Sequence, residues 1–254
     1  MLGGKTVIER VYRQVEGVLD DVVVATDDER IFQTVEQFGG RAVMTRSDHK
    51  SGTDRMQEAV EKTGTGKAVM TSVNHKSGTD RVYEAFTKVG QGFDVVVNIQ
   101  GDEPFIQAQQ LEAIRDCFAD DTVDIATLVK PFKPEDGFAA LENVNSPKVV
   151  VNRRMEALYF SRSIIPFTRG KDKEEWLAGH TYYKHIGLYA YRAQVLQEIT
   201  SLPQSSLELA ESLEQLRWLE NGYKIKVGIS EIETIGIDTP EDLQRAEEFL
   251  KLRT

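Results

Sequence analysis

The chain has 254 residues, 40% of them hydrophobic, and a formal net charge of −10. That length suits one large α/β domain or two small ones, and the acidity argues against a non-specific nucleic-acid or membrane-surface binder, which needs a basic face. Cys117 is the single cysteine, so an internal disulfide and a structural zinc site are both excluded. No apolar run nears the roughly 20 residues of a membrane-spanning helix, no charged-apolar-small signal pattern opens the chain, and the sequence reads as cytoplasmic.

The first half alternates helical and strand patterns. Thr6 and Glu9 have capping-box spacing, and Val7, Ile8, Val11, Tyr12 and Val15 form a stripe at helical period that Gly17 ends. Val22 to Ala25 is a short apolar run of the kind found in a buried parallel strand. A second helix follows, with Ile31, Val35 and Phe38 inward and Gly39 after its end, and then a strand over Arg41 to Thr45. The strongest strand is Asp94 to Gln100 (DVVVNIQ), which runs straight into Gly101, Asp102, Glu103 and Pro104. A helix over Gln107 to Phe118 puts Cys117 in its apolar pattern as a packed thiol, and a strand over Asp124 to Val129 follows. Strand-helix-strand repetition predicts a mostly parallel sheet with helices on both faces, with ligands at the carboxyl ends of its strands.

The second half changes character. Lys148 to Asn152, Ala157 to Arg162 and Tyr183 to Arg192 alternate as strands, after a loop-rich passage from Pro131 to Pro147. A helix over Leu207 to Glu220, a strand over Lys224 to Ile229 and a helix opening at Pro240 complete the chain, proline being well placed in a first turn. Three stretches result: an α/β part at 1–130, a β-rich part at 131–200, and a return to the α/β part at 201–254. One unit is duplicated. Residues 42–45 (AVMT) and 49–55 (HKSGTDR) recur at 68–71 and 75–81, within about 41–90. Two copies are too few for a solenoid, so the repeat reads as an extra βα unit in a regular domain.

The candidate chemistry starts from carboxylates. Asp102 follows the best strand, after a glycine that permits a sharp turn. Asp238 lies in IGIDTP, before the last helix. Mg²⁺ takes one or two carboxylates together with substrate phosphates, and two strand-end aspartates suit it. The plain alternatives are a turn residue for Asp102 and a helix N-cap for Asp238. The SGTDR loops, Ser51 to Arg55 and Ser77 to Arg81, place small hydroxyl residues and a glycine before a helix, which suits an anion or a base edge; an ordinary capped helix start is the alternative. Arg162 ends one strand, and His185 and Tyr189 stand four apart on another, facing the same way. An arginine, an imidazole and a phenol on one pocket suit a sugar acid, whereas each alone also reads as cross-strand surface pairing. In LELAESLEQLR, Glu211 and Gln215 fall on one helical face with Glu214 beside them; the alternative is a solvated charged face.

Taken in order, VVVATDDE, HKSGTDR, VVNIQGDEP, NSPKVVV, ALYFSRSIIPF, KHIGLYAYR, SSLELAESLEQLRWLENG and IGIDTPEDL resemble the 3-deoxy-manno-octulosonate (Kdo) cytidylyltransferase family over nearly the whole chain. QGDEP is shared with other sugar nucleotidyltransferases, whereas ALYFSR, KHIGLYAYR and LEQLR are more specific. The resemblance implies a Rossmann-like nucleotide-diphospho-sugar transferase fold with a smaller β-rich sugar-binding and dimerisation subdomain, a homodimer, and Mg²⁺ held by Asp102 and Asp238. It implies that Arg162, His185, Tyr189, Glu214 and Gln215 contact Kdo, and that Ser77, Gly78, Thr79 and Arg81 of the second SGTDR copy, with Gln100, hold the nucleotide. The implied reaction is attack of the Kdo anomeric hydroxyl on the α-phosphorus of CTP, releasing pyrophosphate.

This chain departs from that pattern in two places. It begins, at MLGGKTVIERVY, beyond the family's first strand and its basic triphosphate loop, IPARYxSxRxPGKPL. Cations on the phosphates stabilise such transition states, so the resemblance implies impaired activity, with ligand binding without turnover as the competing outcome. The duplicated unit is expected beside the sheet or in the vacant strand position. A transferase for another sugar acid is opposed by ALYFSR and KHIGLYAYR.

Overall fold

The computed structural model describes residues 1–26, 28–44, 94–232, 236–237 and 239–251. Both SGTDR copies, the second AVMT copy at 68–71 and Asp238 lie outside the described residues, so the placement expected for the duplicated unit and for Ser77, Gly78, Thr79 and Arg81 rests on sequence. The chain forms two compact units, Met1–Leu111 with Thr234–Thr254, and Glu112–Glu233.

In the first unit, helix α1 (Val7–Glu16) opens as its sequence indicates: the Thr6 side chain accepts a hydrogen bond from the Glu9 amide, and Val11, Tyr12 and Val15 are buried. Strand β1 (Val24–Thr26) pairs in parallel with β2 (Ala42–Met44), and helix α2 (Glu29–Gln37) connects them, with Asp28 as its N-cap. Parallel strands need such a crossover. The Tyr12 hydroxyl accepts from the Arg41 amide at 3.1 Å, tying α1 to the start of β2. Of the inward residues predicted in α2, Val35 is fully buried, but Ile31 is 37% exposed. Ile31 stands in the first turn, where Asp28 and Glu29 turn the helix toward water. Strand β3 (Val95–Asn98) leads to a buried cluster of Leu2, Phe105 and Ala246, backed by Ile237, Phe249 and Leu250. Ala246, Phe249 and Leu250 belong to the C-terminal helix, labelled α9 below.

The second unit is built on a mixed sheet of β4 (Ile125–Pro131), β5 (Lys148–Val151), β6 (Ala157–Ser161), β7 (Tyr183–Arg192) and β8 (Ile225–Ile229), running β6-β5-β7-β4-β8. Within this path β4 and β8 are parallel, and β4–β7, β5–β6 and β5–β7 are antiparallel. The expected parallel arrangement therefore holds for β1–β2 and β4–β8 and gives way to an antiparallel one in the β-rich stretch. Lying between β7 and β8, β4 is buried from Ile125 through Val129. Helix α3 (Ala108–Asp116) and the turn after it bring Ala113 and Cys117 over the Leu128–Gly228 face, where an added Cβ on Gly228 would meet Leu128 at 2.8 Å and both Ala113 O and Cys117 Sγ at 3.3 Å. Cys117 is the packed thiol expected: it is buried, it donates to Ala113 O at 3.4 Å, and burial pushes its pKa up to about 11. Helix α4 (Gly137–Glu142) and helix α5 (Trp176–Gly179) supply Leu141 and Trp176 to a satellite cluster with Tyr182, and helix α6 (Ala193–Thr200) buries Val195, Leu196 and Ile199.

One predicted element breaks. The helix expected over Leu207 to Glu220 is two short helices, α7 (Ser206–Glu211) and α8 (Gln215–Glu220), separated at Ser212, which adopts φ 51°, ψ 48°. Glu211 and Gln215 thus do not share a helical face. The C-terminal helix α9 (Pro240–Lys251) opens at Pro240 as predicted.

Candidate active site

Asp102 sits four residues beyond the last residue of β3. A buried pair, Pro104 and Phe105, immediately follows its neighbour Glu103, and the Phe105 ring meets the edge of Phe249 from α9 at 4.9 Å between centroids. That contact draws the approach to α9 onto the Asp102 turn, where the Ile237 amide donates to the Asp102 carbonyl at 3.0 Å. The next residue in the chain is Asp238. The N-cap of α9 is Thr239: its hydroxyl accepts from the Asp242 amide at 3.2 Å, and the Asp242 carboxylate accepts from the Thr239 amide at 3.0 Å. The capping role is therefore filled by Thr239, with Asp242 as its reciprocal partner. Gly101 does not use a left-handed conformation; a side chain there would instead press on Ile8 Cδ1 at 3.3 Å. Burial, and then the charge of Asp102, push the Glu103 carboxyl up to about 7.

In the second unit, β7 carries a register shift opposite Thr127 and Leu128: Thr127 pairs with Tyr189, but Leu128 pairs with Ile186. The shift is an even number of residues, so alternation survives and His185 and Tyr189 keep a common face, their rings 5.2 Å apart. Phe160 of β6 meets the His185 ring edge-on at 5.2 Å. His185 Nε2 lies 3.0 Å from Thr127 Oγ1, its one polar partner among the described residues. Burial drives its pKa down to about 3, so the imidazole is neutral at physiological pH. Burial likewise raises the Tyr189 phenol well above its ordinary value. Trp218 of α8 caps this face, edge-on to Tyr189 at 5.1 Å and to Tyr191 at 5.6 Å.

Arg162, at the end of β6, is braced by backbone oxygens. Its Nε donates to Glu211 O at 2.7 Å, Nη1 to Val144 O at 3.0 Å and Nη2 to Ser212 O at 3.3 Å. Among the described residues three of its five N–H groups are thereby occupied. The Glu211 carboxylate accepts from Ser161 Oγ at 2.7 Å and from the Arg162 amide at 2.9 Å. Lys148, wholly buried, donates from Nζ to Arg162 O at 2.6 Å and Asn143 O at 3.1 Å. Burial lowers its pKa, and the Glu211 charge opposes that shift.

Arg217 joins the two short helices. Its guanidinium takes Glu208 of α7 in a two-pronged pair (Nε–Oε2 2.9 Å, Nη2–Oε1 2.8 Å) and reaches Glu214 Oε1 at 3.3 Å. This fixes Glu214 and Gln215 at the start of α8. Gln215 is 4% exposed, so the solvated-face reading does not apply to it. Gln215 Nε2 and Trp218 Nε1 are buried with no hydrogen-bond partner among the described residues, and Tyr189 Oη, equally buried, has the Thr127 hydroxyl near it but no bond of good geometry. Buried polar groups are nearly always partnered, and a phenol with two N–H donors suits a ligand rich in hydroxyl and carboxylate oxygens.

Of the residues singled out in the sequence, the structure thus brings His185 and Tyr189 together under Trp218 and buries Gln215 one turn before Trp218 on α8. It braces Arg162 and Glu214 on α7 and α8. Asp102 is hydrogen-bonded through its carbonyl to Ile237, the residue before Asp238, and Gln100 stands two residues before Asp102. Residues that sequence reasoning passed over are Thr127, Lys148, Glu208 and Arg217. The available signals were a threonine inside the apolar run IATLV, a lysine opening the strand KVVV, and a Glu and Arg nine apart across a presumed single helix.

Comparison with known proteins bears on the fold and the family. A family model described as cytidylyltransferase matches residues 1–66 and again 57–225, the two stretches overlapping within the duplicated region. A cytidylyltransferase is accordingly the class of protein this fold and sequence define. The chain is 68% identical over 254 residues to a 3-deoxy-manno-octulosonate cytidylyltransferase of Bacteroides thetaiotaomicron, covering 100% of this chain and 91% of the relative. The enzyme of that name from Porphyromonas gingivalis is 49% identical over 248 residues, covering 98% and 87%. A solved CMP:2-keto-3-deoxy-manno-octonic acid synthetase complexed with CTP superposes with a TM-score of 0.80 at 36% identity, covering 100% of this chain and 91% of that one. The 4-diphosphocytidyl-2C-methyl-D-erythritol synthase of Anaerococcus prevotii, at 14% identity and TM-score 0.57 over 99% and 88% of the two chains, shares the fold alone. This chain belongs to the 3-deoxy-manno-octulosonate cytidylyltransferase family.

Proposed function

We propose that this chain transfers CMP from CTP to Kdo in lipopolysaccharide biosynthesis. The Kdo anomeric oxygen forms a bond to the α-phosphorus, the bond from that phosphorus to pyrophosphate breaks, and the hydroxyl proton is released. The observation that carries the reading is the group of His185, Tyr189, Gln215 and Trp218, of which Gln215 Nε2 and Trp218 Nε1 are buried without partners among the described residues, in a chain 68% identical to an enzyme named for this reaction. Arg162 offers the acid's carboxylate the two N–H groups that have no partner among the described residues, and Glu214 accepts from its hydroxyls. The second SGTDR copy, Ser77 to Arg81, and Gln100 hold the cytidine.

Asp102 and Asp238 are the residues that would hold Mg²⁺. The fit rests on hard carboxylate oxygens and on the Ile237–Asp102 hydrogen bond, which brings the two chain segments together. Bound there, Mg²⁺ supplies charge neutralisation and orientation of the triphosphate. Among the described residues no group of three or more His, Cys, Asp and Glu is arranged for a metal; Mg²⁺ shared with substrate phosphates needs fewer. No described helix is long and apolar enough to cross a membrane. A cytoplasmic homodimer completes the proposal, supported by a CTP substrate drawn from the cytoplasm and by Leu158, 60% exposed on the edge strand β6.

Pyrophosphate release tests the proposal directly. Release from CTP that requires both Kdo and Mg²⁺ is the expected result. Release with a sialic acid in place of Kdo reassigns the substrate, and calorimetric Kdo binding with no turnover makes the chain a ligand binder.

A further inference from the structure

We propose that Thr127 is a positioning residue for His185: its hydroxyl holds the imidazole as the Nε2–H tautomer and leaves Nδ1 as the acceptor for a hydroxyl of the bound acid. The inference deepens the sugar-acid reading of His185 and rests on it. Thr127 is fully buried in the middle of β4, in a run otherwise apolar. The β7 register shift brings two backbone carbonyls to its hydroxyl, Leu188 O at 2.9 Å and Ile186 O at 3.2 Å, with His185 Nε2 at 3.0 Å as the third neighbour and the Tyr189 phenol beside it on the same face.

A hydroxyl has one proton and two lone pairs. The two carbonyls can only accept, so the proton goes to one of them, and Leu188 O is the shorter contact. The lone pairs of Oγ1 then face Nε2, and a hydrogen bond forms there only if Nε2 carries the proton. The tautomer of a histidine is set by the bond its other nitrogen makes. No described residue bonds Nδ1, and the Phe160 and Tyr189 rings hold the imidazole plane. A purely structural threonine, there only to satisfy the bulge carbonyls, would leave the imidazole indifferent to its loss.

The test uses the whole protein labelled with ¹⁵N, with the His185 signals assigned by their disappearance in His185→Gln. Long-range ¹H–¹⁵N spectra of the wild type are expected to show one tautomer, protonated at Nε2, with the Nδ1 resonance moving when Kdo is added. Thr127→Val, which keeps the shape and deletes the hydroxyl, is expected to mix the tautomers and raise KM for Kdo about tenfold with kcat and the KM for CTP little changed. Thr127→Ser should keep the wild-type pattern. An Nδ1–H tautomer in the wild type overturns the proposal, as does Thr127→Val with unaltered tautomer. If Thr127→Val fails to fold, the wild-type and Thr127→Ser spectra decide. Because the spectra need no turnover, a chain that shows the Nε2–H tautomer but never binds Kdo rejects the sugar-acid reading and not the tautomer assignment.

Discussion

His185 is an imidazole held neutral by its surroundings, and that has a consequence for stability. Folded, it protonates at about 3; its ordinary value is 6.5. Between these two values the unfolded chain takes up a proton that the folded chain refuses, so this contribution is fully present above pH 6.5 and is lost as pH falls toward 3. The largest slope is about 1.4 kcal/mol per pH unit. Urea denaturation of the wild type and His185→Gln at pH 7, 5.5 and 4 checks this: the variant should lose less stability on acidification. Equal losses would mean that the imidazole ionises freely in the fold. The brace around Arg162 works differently. Carbonyls of Val144, Glu211 and Ser212 aim its guanidinium, so its geometry is set before any ligand arrives.

The pair α7 and α8 depends on one guanidinium. Arg217 is 1% exposed and bridges Glu208 in the first helix to Glu214 in the second. Breaking a buried pair from one side strands the other charge, and Arg217→Met should cost about 3–5 kcal/mol. Arg217→Lys should recover little of it, since an ammonium cannot make the two-pronged contact; guanidinium chloride melts of both variants would show this. The helix-on-sheet contact at Gly228 is equally sharp. A methyl there has Leu128 Cδ2 at 2.8 Å and the Ala113 carbonyl at 3.3 Å. Gly228→Ala should therefore cost about 1–3 kcal/mol by overpacking, while Gly222→Ala, with open space around it but a φ of 85°, should cost about 1–2 kcal/mol through backbone strain alone. Combined in one chain, the two losses should add, because the sites share no contact partner.

For the protein as a unit, the proposed homodimer gives a prediction of its own. Leu158 projects from β6, an edge strand, and a bare apolar edge invites pairing. Sedimentation should find two chains per particle, and Leu158→Glu should weaken their association at least about tenfold, since it removes apolar contact and sets like charges face to face. A wild-type monomer would remove the homodimer from the proposal.

Local chemistry alone accounts for much of this molecule. Apolar period and end signals mark α1 with its Thr6 cap, the full extent of β7 and the Pro240 start of α9, because these depend on residues near in sequence. Residue types in order were also enough to name the family and to single out His185, Tyr189 and Gln215. Folding in three dimensions decided the rest. Ser212 breaks a continuous helical pattern because Arg217, buried between Glu208 and Glu214, holds two short helices at a corner, an interaction no periodicity reveals. The mixed sheet follows from antiparallel returns in the β-rich stretch. Thr127 became visible only when a register shift in β7, set by pairing between strands some sixty residues apart, delivered two carbonyls and an imidazole to its hydroxyl. The bond between Ile237 and the Asp102 carbonyl likewise exists because Phe105 and Phe249 share one apolar cluster, a matter of burial across the chain.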